Sequence, residues 1–291
     1  MLFTIRDIEN LSGIKAHTIR IWEQRYSFLK PKRSDTNIRY YTNDELRIIL
    51  NIALLNKYGY KISHISKMSH ETMYESVLSL TDATAKESIV VNRLIACMVE
   101  YDVELFEKII NDCVDASGIE KTILHIMFPF LDKVGILWLT SHINPAQERL
   151  VSNVIRQKII VGIDSLSTKT TSSSKVCLFL PEGEYHELSL LFVAFLLKKK
   201  GVPFIYLGVN IPFSELKTVT AIKKPDYLYS HVTTAGLSFN AEKFFATLHK
   251  DFRNYSTIIS GRITGYYVKK IPPKVVFKKS LNEVKEFVAS L

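Results

Sequence analysis

From Val176 to the carboxyl end, short apolar runs alternate with helix-length amphipathic stretches, and few folds are open to such a pattern. Val176-Cys177-Leu178-Phe179-Leu180 contains no charged or strongly polar residue, as expected of a strand buried on both faces. After it the spacing predicts a helix over 187–200, a strand over 204–207 and a helix over 213–222. A strand over 227–230, a helix over 241–252, strands over 257–260 and 275–277 and a helix over 281–289 complete the segment. This alternation predicts an α/β domain at 175–291 with a doubly wound parallel sheet. Ligands of such sheets sit beyond the carboxyl ends of the strands. That rule singles out Pro181-Glu182-Gly183-Glu184-Tyr185-His186, which follows the first run. His186 presents an imidazole there, and Glu184 is near enough to accept its other ring N–H, the usual orienting arrangement for a metal-bound histidine. A lone Glu-x-His is a weak signal, and an ordinary surface histidine remains the competing reading.

A polar linker, Ser167 to Lys175, precedes this domain. Upstream of it four helical stretches follow one another at about 85–100, 103–116, 119–137 and 145–166, joined by short connections. Asn144 before Pro145 reads as an N-cap with proline at the first helical position, and Gln147 completes a capping box. Four antiparallel helices with short joints predict a bundle at 84–167. Residues 69–83 are weakly periodic and read as a hinge.

The amino-terminal 70 residues carry a different pattern. Ile5, Ile8 and Leu11 form one apolar stripe of a short helix, and Ser12-Gly13 supplies a corner. A second short helix turns Ile14, Ile19 and Trp22 inward and leaves Lys15, His17, Thr18, Arg20 and Arg25 outward. Two short helices about a tight turn, the second basic on its outer side, predict a helix-turn-helix. Phe28 to Arg33, a turn-rich Ser34-Asp35-Thr36-Asn37 and Ile38 to Tyr41 then read as a two-stranded wing. Its Lys32, Arg33, Arg39 and Tyr40 are candidate phosphate donors beside the reading helix.

Charge supports three units of different character. Lys and Arg outnumber Asp and Glu by 12 to 6 over residues 1–68, are outnumbered 8 to 14 over 69–168, and lead 18 to 9 over 169–291. The basic head suits a polyanionic partner. Three dispersed cysteines, Cys97, Cys113 and Cys177, form neither a disulfide framework nor a metal site, which points to a reducing compartment. The chain opens without a signal-peptide pattern, and its longest apolar run, Leu190 to Leu197, is too short to span a bilayer. A soluble, cytoplasmic protein without membrane partners is expected.

The head resembles the MerR family of bacterial transcription regulators. The likeness covers residues 3–68 and rests on Trp22-Glu23-Gln24-Arg25-Tyr26, on Arg39-Tyr40-Tyr41 and on the helix start Asp44-Glu45-Leu46. It implies a winged helix-turn-helix closed by two helices at about 43–57 and 61–68. Double-stranded operator DNA would be the partner, contacted through Lys15, His17, Thr18, Arg20, Arg25, Lys32, Arg33, Arg39 and Tyr40.

The rest of the chain resembles the CarH/LitR photoregulators, in which a MerR head, a helical bundle and a Rossmann-like cobalamin-binding domain occur in this order. Their Glu/Asp-x-His-x-x-Gly motif corresponds to Glu184, His186 and Ser189. Their Ser-x-Leu corresponds to Ser230-His231-Val232, and their Gly-Gly to Ser260-Gly261. The resemblance implies adenosylcobalamin or another cobalamin as cofactor and His186 as its lower axial metal ligand. Trp138 would cap the upper corrin face and Glu148 would touch the adenosyl group. Ser189 and Ser260 stand where that family has glycine, each adding a hydroxymethyl group where its nucleotide tail approaches the backbone. Leu139 and Arg149 replace the histidines of the upper-face region, which removes bis-histidine capture of cobalt; His142 is out of register. The expectation is a non-enzymatic, homodimeric or higher homo-oligomeric repressor whose oligomerisation or DNA grip is tuned by cobalamin. A MerR-type regulator with a degenerate pocket, acting through protein partners, is the alternative.

Overall fold

A computed structural model describes residues 2–26, 28–33, 37–139, 143–167, 169–233 and 239–291; the side chains at 136, 138 and 139 are outside the description. The chain divides into two compact units, Met1–Ile155 and Arg156–Leu291.

The first unit begins with β1 (Phe3–Thr4) and α1 (Ile5–Ser12). Thr4 caps α1 in a reciprocal box with Asp7, satisfying amide groups that have no partner inside the helix. Gly13 ends α1 at φ 74°, where a side chain would be strained, and so turns the chain into α2 (Ala16–Arg25). Ile8, Leu11, Ile19 and Trp22 bury the inner faces of the pair. The wing strands β2 (Lys32–Arg33) and β3 (Arg39–Tyr41) pair antiparallel, and β1 joins them in a small sheet ordered β1-β3-β2. That third strand was not expected, since two residues carry no readable alternation.

Thr42 and Glu45 form a second capping box at the start of α3 (Asn43–Lys57), and α4 (Ile62–Ile65) is shorter than its expected span. The expected hinge contains a helix, α5 (His70–Leu78), capped by Ser69 and buried through Met73 and Val77. The helices that follow are α6 (Ala83–Glu100), α7 (Val103–Ser117) and α8 (Ile119–Thr122). A π-helical turn at Ile123–Met127 leads into α9 (Phe128–Leu139), and α10 (Pro145–Asp164) starts in this unit and runs past its end at Ile155. Asn144 Oδ1 accepts from the Ala146 amide at 2.8 Å and Gln147 Oε1 from the Asn144 amide at 2.9 Å, the expected cap of α10. The Gln147 amide group, 1% exposed, also donates to the carbonyls of Met98 and Val99 and pins α10 to the end of α6. Within this unit α3 packs on α5 and α6.

The second unit holds a five-stranded parallel sheet. In chain order its elements are β4 (Val176–Pro181), α11 (Leu188–Lys200), β5 (Phe204–Ile211), α12 (Phe213–Lys223) and β6 (Tyr227–His231). They continue as α13 (Ala241–Asp251), β7 (Ser256–Ser260), α14 (Ile263–Tyr266), β8 (Val275–Lys278) and α15 (Leu281–Ala289). The strand order is β5-β4-β6-β7-β8, so the direction of winding reverses beside β4. β4 is buried throughout, as its composition requires. One sheet face packs Leu228, Val232 and Ile259 with Phe244, Phe245 and Phe252; on the other, Tyr229 stacks on Phe287 of α15. No helix among the described residues is long and apolar enough to cross a membrane.

Candidate DNA interface and ligand site

On the head, His17, Arg20 and Arg25 are exposed along α2, Lys15 is exposed at its N-cap, and Thr18 is half-buried. Lys15 Nζ pairs with Glu9 at 3.1 Å, and Glu9 also accepts from the Ala16 amide at 3.2 Å, so the corner between the two helices is tied. Those two bonds with Lys15 and Ala16 hold the Glu9 carboxyl below the usual range. Lys32 and Arg33 are exposed on the wing, Tyr40 is half-buried, and the Arg33 guanidinium donates to Asn37 Oδ1.

Arg39 sits differently from its neighbours. Its Nε donates to Glu23 Oε2 at 2.8 Å, and the Glu23 side chain is only 8% exposed. The hydroxyl of fully buried Tyr41 donates to the other Glu23 oxygen. Burial and the adjacent Glu23 carboxylate push the Tyr41 phenol well above its usual value. Arg39 and Tyr41 thereby fasten β3 of the wing to α2. Sequence reasoning placed Glu23 only in a motif; its burial depends on β3 crossing α2, which no local pattern reveals.

At the carboxyl edge of the sheet, the loop after β4 carries Glu184 with its carboxylate fully buried. Oε1 accepts from the Tyr185 and His186 amides at 3.0 Å each and from His186 Nδ1 at 2.6 Å. Oε2 accepts from the Thr233 amide, at the end of β6, at 2.8 Å. Asn210, in β5 at φ 57°, closes the other side: its Oδ1 accepts from the Gly183 amide and its own amide donates to the Glu184 carbonyl. The loop is held by β4, β5 and β6 together. A carboxylate accepting from Nδ1 fixes the tautomer that carries its proton there, leaving Nε2 as the basic nitrogen on the opposite ring edge. The His186 side chain is 65% exposed. Thr233 and Asn210 had no signal in the sequence beyond the tolerance of asparagine for positive φ.

Ser189 lies half-buried in the first turn of α11. Ser230 is fully buried, and its Oγ has no hydrogen-bond partner among the described residues. Ser260 Oγ is spent inside the protein, 2.7 Å from Tyr229 OH and 2.8 Å from His231 Nδ1. Burial drives the His231 imidazole down to about 4; nearby Glu184 opposes that shift and His186 adds to it. Gly261, at φ 92°, is required by the fold, since a Cβ there would lie 2.5 Å from the Val232 carbonyl oxygen. In the first unit, Glu148 lies in the first turn of α10 and accepts from Ser152 Oγ at 2.6 Å. Trp138 belongs to α9, with its side chain outside the described residues. Arg149 is exposed.

The donor set fits a corrinoid. An outward imidazole, locked through Nδ1 on a buried carboxylate, is a group that would hold the metal of such a cofactor, and Ser230 Oγ is a buried polar group with no hydrogen-bond partner among the described residues. The extra hydroxyl of Ser260 is turned into its own network and does not stand out from the strand end.

Comparison with known proteins gives two family matches, one over the head and one over the helices that precede the sheet. Residues 3–72 match the family profile of the MerR HTH family regulatory protein, and residues 90–161 match that of the B12 binding domain. The HTH-type transcriptional repressor CarH of Myxococcus xanthus is 25% identical over 232 residues, covering 78% of this chain and 77% of CarH. The repressor CarA of the same organism is 26% identical over 232 residues, covering 78% of this chain and 75% of CarA. The monomethylamine corrinoid protein of Methanosarcina barkeri superposes with a TM-score of 0.58 at 14% identity, over 70% of this chain and all of that one, a likeness of fold. The chain thus joins a MerR-type helix-turn-helix head to a B12-binding domain, and it is homologous to the transcriptional repressors CarH and CarA.

Proposed function

We propose that this protein is a sequence-specific, DNA-binding transcription repressor whose grip on its operator is tuned by a cobalamin held on His186. The observation that carries the reading is the His186 imidazole, exposed yet locked by a four-bonded buried carboxylate, in a chain whose head offers exposed cations on α2 and the wing. A surface histidine without a ligand has no need of such a support.

In the DNA-binding role, α2 enters the major groove. Lys15, His17, Thr18 and Arg20 face base edges, while Arg25, Lys32, Arg33 and Tyr40 take phosphates on either side. Arg39 acts by holding the wing against α2 through Glu23, with its outer nitrogens directed to the backbone of the duplex. Repressors of this kind read paired half-sites as homodimers or higher homo-oligomers, and the same assembly is proposed here.

When bound, cobalamin would supply a cobalt centre able to take a nitrogen ligand. His186 would hold the cofactor, Glu184 would orient the imidazole, and Ser230 would offer its buried hydroxyl. Glu148 and Trp138 are the proposed contacts from the helical unit. The test is to mix the full chain with adenosylcobalamin in darkness and record its visible spectrum after desalting. Retained colour with a spectral shift abolished by His186→Ala supports the reading. Loss of all colour refutes it, and leaves a MerR-type regulator that works through protein partners.

A further inference from the structure

A second site lies away from His186, where the head meets the bundle within the first unit. Helices α3, α5 and α6 enclose a cavity of about 300 Å³. Its body is apolar, with Leu50 from α3, Val77 from α5, and Ile89 and Ala96 from α6. Tyr74 and Leu105 stand at its mouth, 47% and 39% exposed, so apolar surface continues to solvent. Volume and lining are those of a small-molecule pocket, mostly apolar with a few polar groups.

The polar groups favour one sign of charge. Arg47 and Arg93 line the cavity against one acid, Glu100, which already pairs with Arg47. Arg93 makes no ion pair among the described residues. Asn92, also in the wall, has its Oδ1 occupied by Lys133 Nζ at 2.9 Å, and that half-buried ammonium has no acidic partner among the described residues. A recess off the same wall, bounded by Arg47, Leu50, Ala96 and Glu100, contains the buried Asn43 Oδ1 with no hydrogen-bond partner among the described residues. The cavity itself keeps at its rim a cation, Arg93, that has no ion-pair partner among the described residues.

We infer that this cavity binds a small monoanionic amphiphile, with its aliphatic or aromatic body between α3, α5 and α6 and its carboxylate on Arg93. The Arg47–Glu100 ion pair in the same wall joins the first helix after the wing to the first helix of the bundle. The occupant acts on the head without touching the corrinoid site.

Octanoate, octanol and octylammonium, titrated by calorimetry into the full-length protein, test this directly. Octanoate should bind saturably at one molecule per chain, and octanol and octylammonium at least about tenfold more weakly. Arg93→Gln should weaken octanoate by about tenfold, Arg93→Lys should restore most of the loss, and Ala96→Leu, which fills the body, should weaken it as much. His186→Ala should leave octanoate binding unchanged, which separates this site from the corrinoid site. Equal affinity for octanol and octanoate would overturn the inference, as would octanoate binding indifferent to both Arg93→Gln and Ala96→Leu. Retention of operator DNA by the Arg93 and Ala96 variants shows that they are folded.

Discussion

Replacing Glu184 by glutamine changes one atom of a side chain with no solvent exposure, and the structure gives the cost. The amide oxygen can take the place of Oε1 and keep the Tyr185, His186 and Nδ1 bonds, each weakened by loss of the negative charge. The amide nitrogen must then face the Thr233 N–H, now at 2.8 Å from an acceptor, and two donors oppose each other. One charge-assisted bond is lost and two buried donors are left facing each other, together about 3 kcal/mol. Hydrogen exchange of β4 and β6 in the full chain should speed up by about 100-fold, as 3 kcal/mol implies. Because Nδ1 still has an acceptor, cobalamin binding should weaken without disappearing, by roughly 10- to 100-fold, the usual effect of removing a ligand's orienting carboxylate. Exchange rates within about threefold of the parent would correspond to less than about 0.7 kcal/mol, and would refute the claim that this carboxylate braces the loop.

The His231 imidazole titrates near 4 in the fold against about 6.5 in an unfolded chain, so the unfolded state binds more protons between these values. Stability attributable to His231 is full above about pH 6.5 and falls as pH drops toward 4, by up to about 3 kcal/mol; urea unfolding of His231→Asn should lack that component of the slope. Arg39→Ala strands the nearly buried Glu23 and should cost about 1–3 kcal/mol of stability while weakening every DNA sequence alike. Arg33→Ala, on the exposed wing, should leave thermal stability unchanged and reduce the steepness of log K against log salt by about 0.9 for each phosphate that it no longer neutralises. Gly261→Ala forces a Cβ to within 2.5 Å of the Val232 carbonyl at a positive φ and should destabilise the sheet unit by roughly 2–4 kcal/mol in chemical unfolding.

The elements that bury a continuous or strictly periodic face were legible in the sequence. β4 reads as a strand because all its residues are buried, and α10 reads as a helix because Asn144, Pro145 and Gln147 state its start chemically. Helix α5 escaped because only Met73 and Val77 are buried, too few to set a period over nine residues. The expected strand at 204–207 runs on to Ile211, and Gly208 at φ 83° with shifts in the β4 pairing explains why the apolar alternation breaks there. The π-helical turn at Ile123–Met127 leaves no mark in the hydrophobic pattern. At the site, the two-residue spacing of Glu184 and His186 was enough to expect their bond. The Thr233 and Asn210 bonds depend on the order β5-β4-β6, which is a long-range property. Likewise, Arg39 read as a phosphate ligand because a basic residue on a wing is ordinarily free, and only the fold brings Glu23 beneath it.

The most direct test is the affinity of the full chain for duplex DNA flanking its own gene, measured in darkness with and without adenosylcobalamin, for the parent and for His186→Ala. The account predicts tight, salt-sensitive binding by both proteins, with an affinity that responds to the cofactor only in the parent. Absence of DNA retention at low salt, or a cofactor response that survives His186→Ala undiminished, would contradict it.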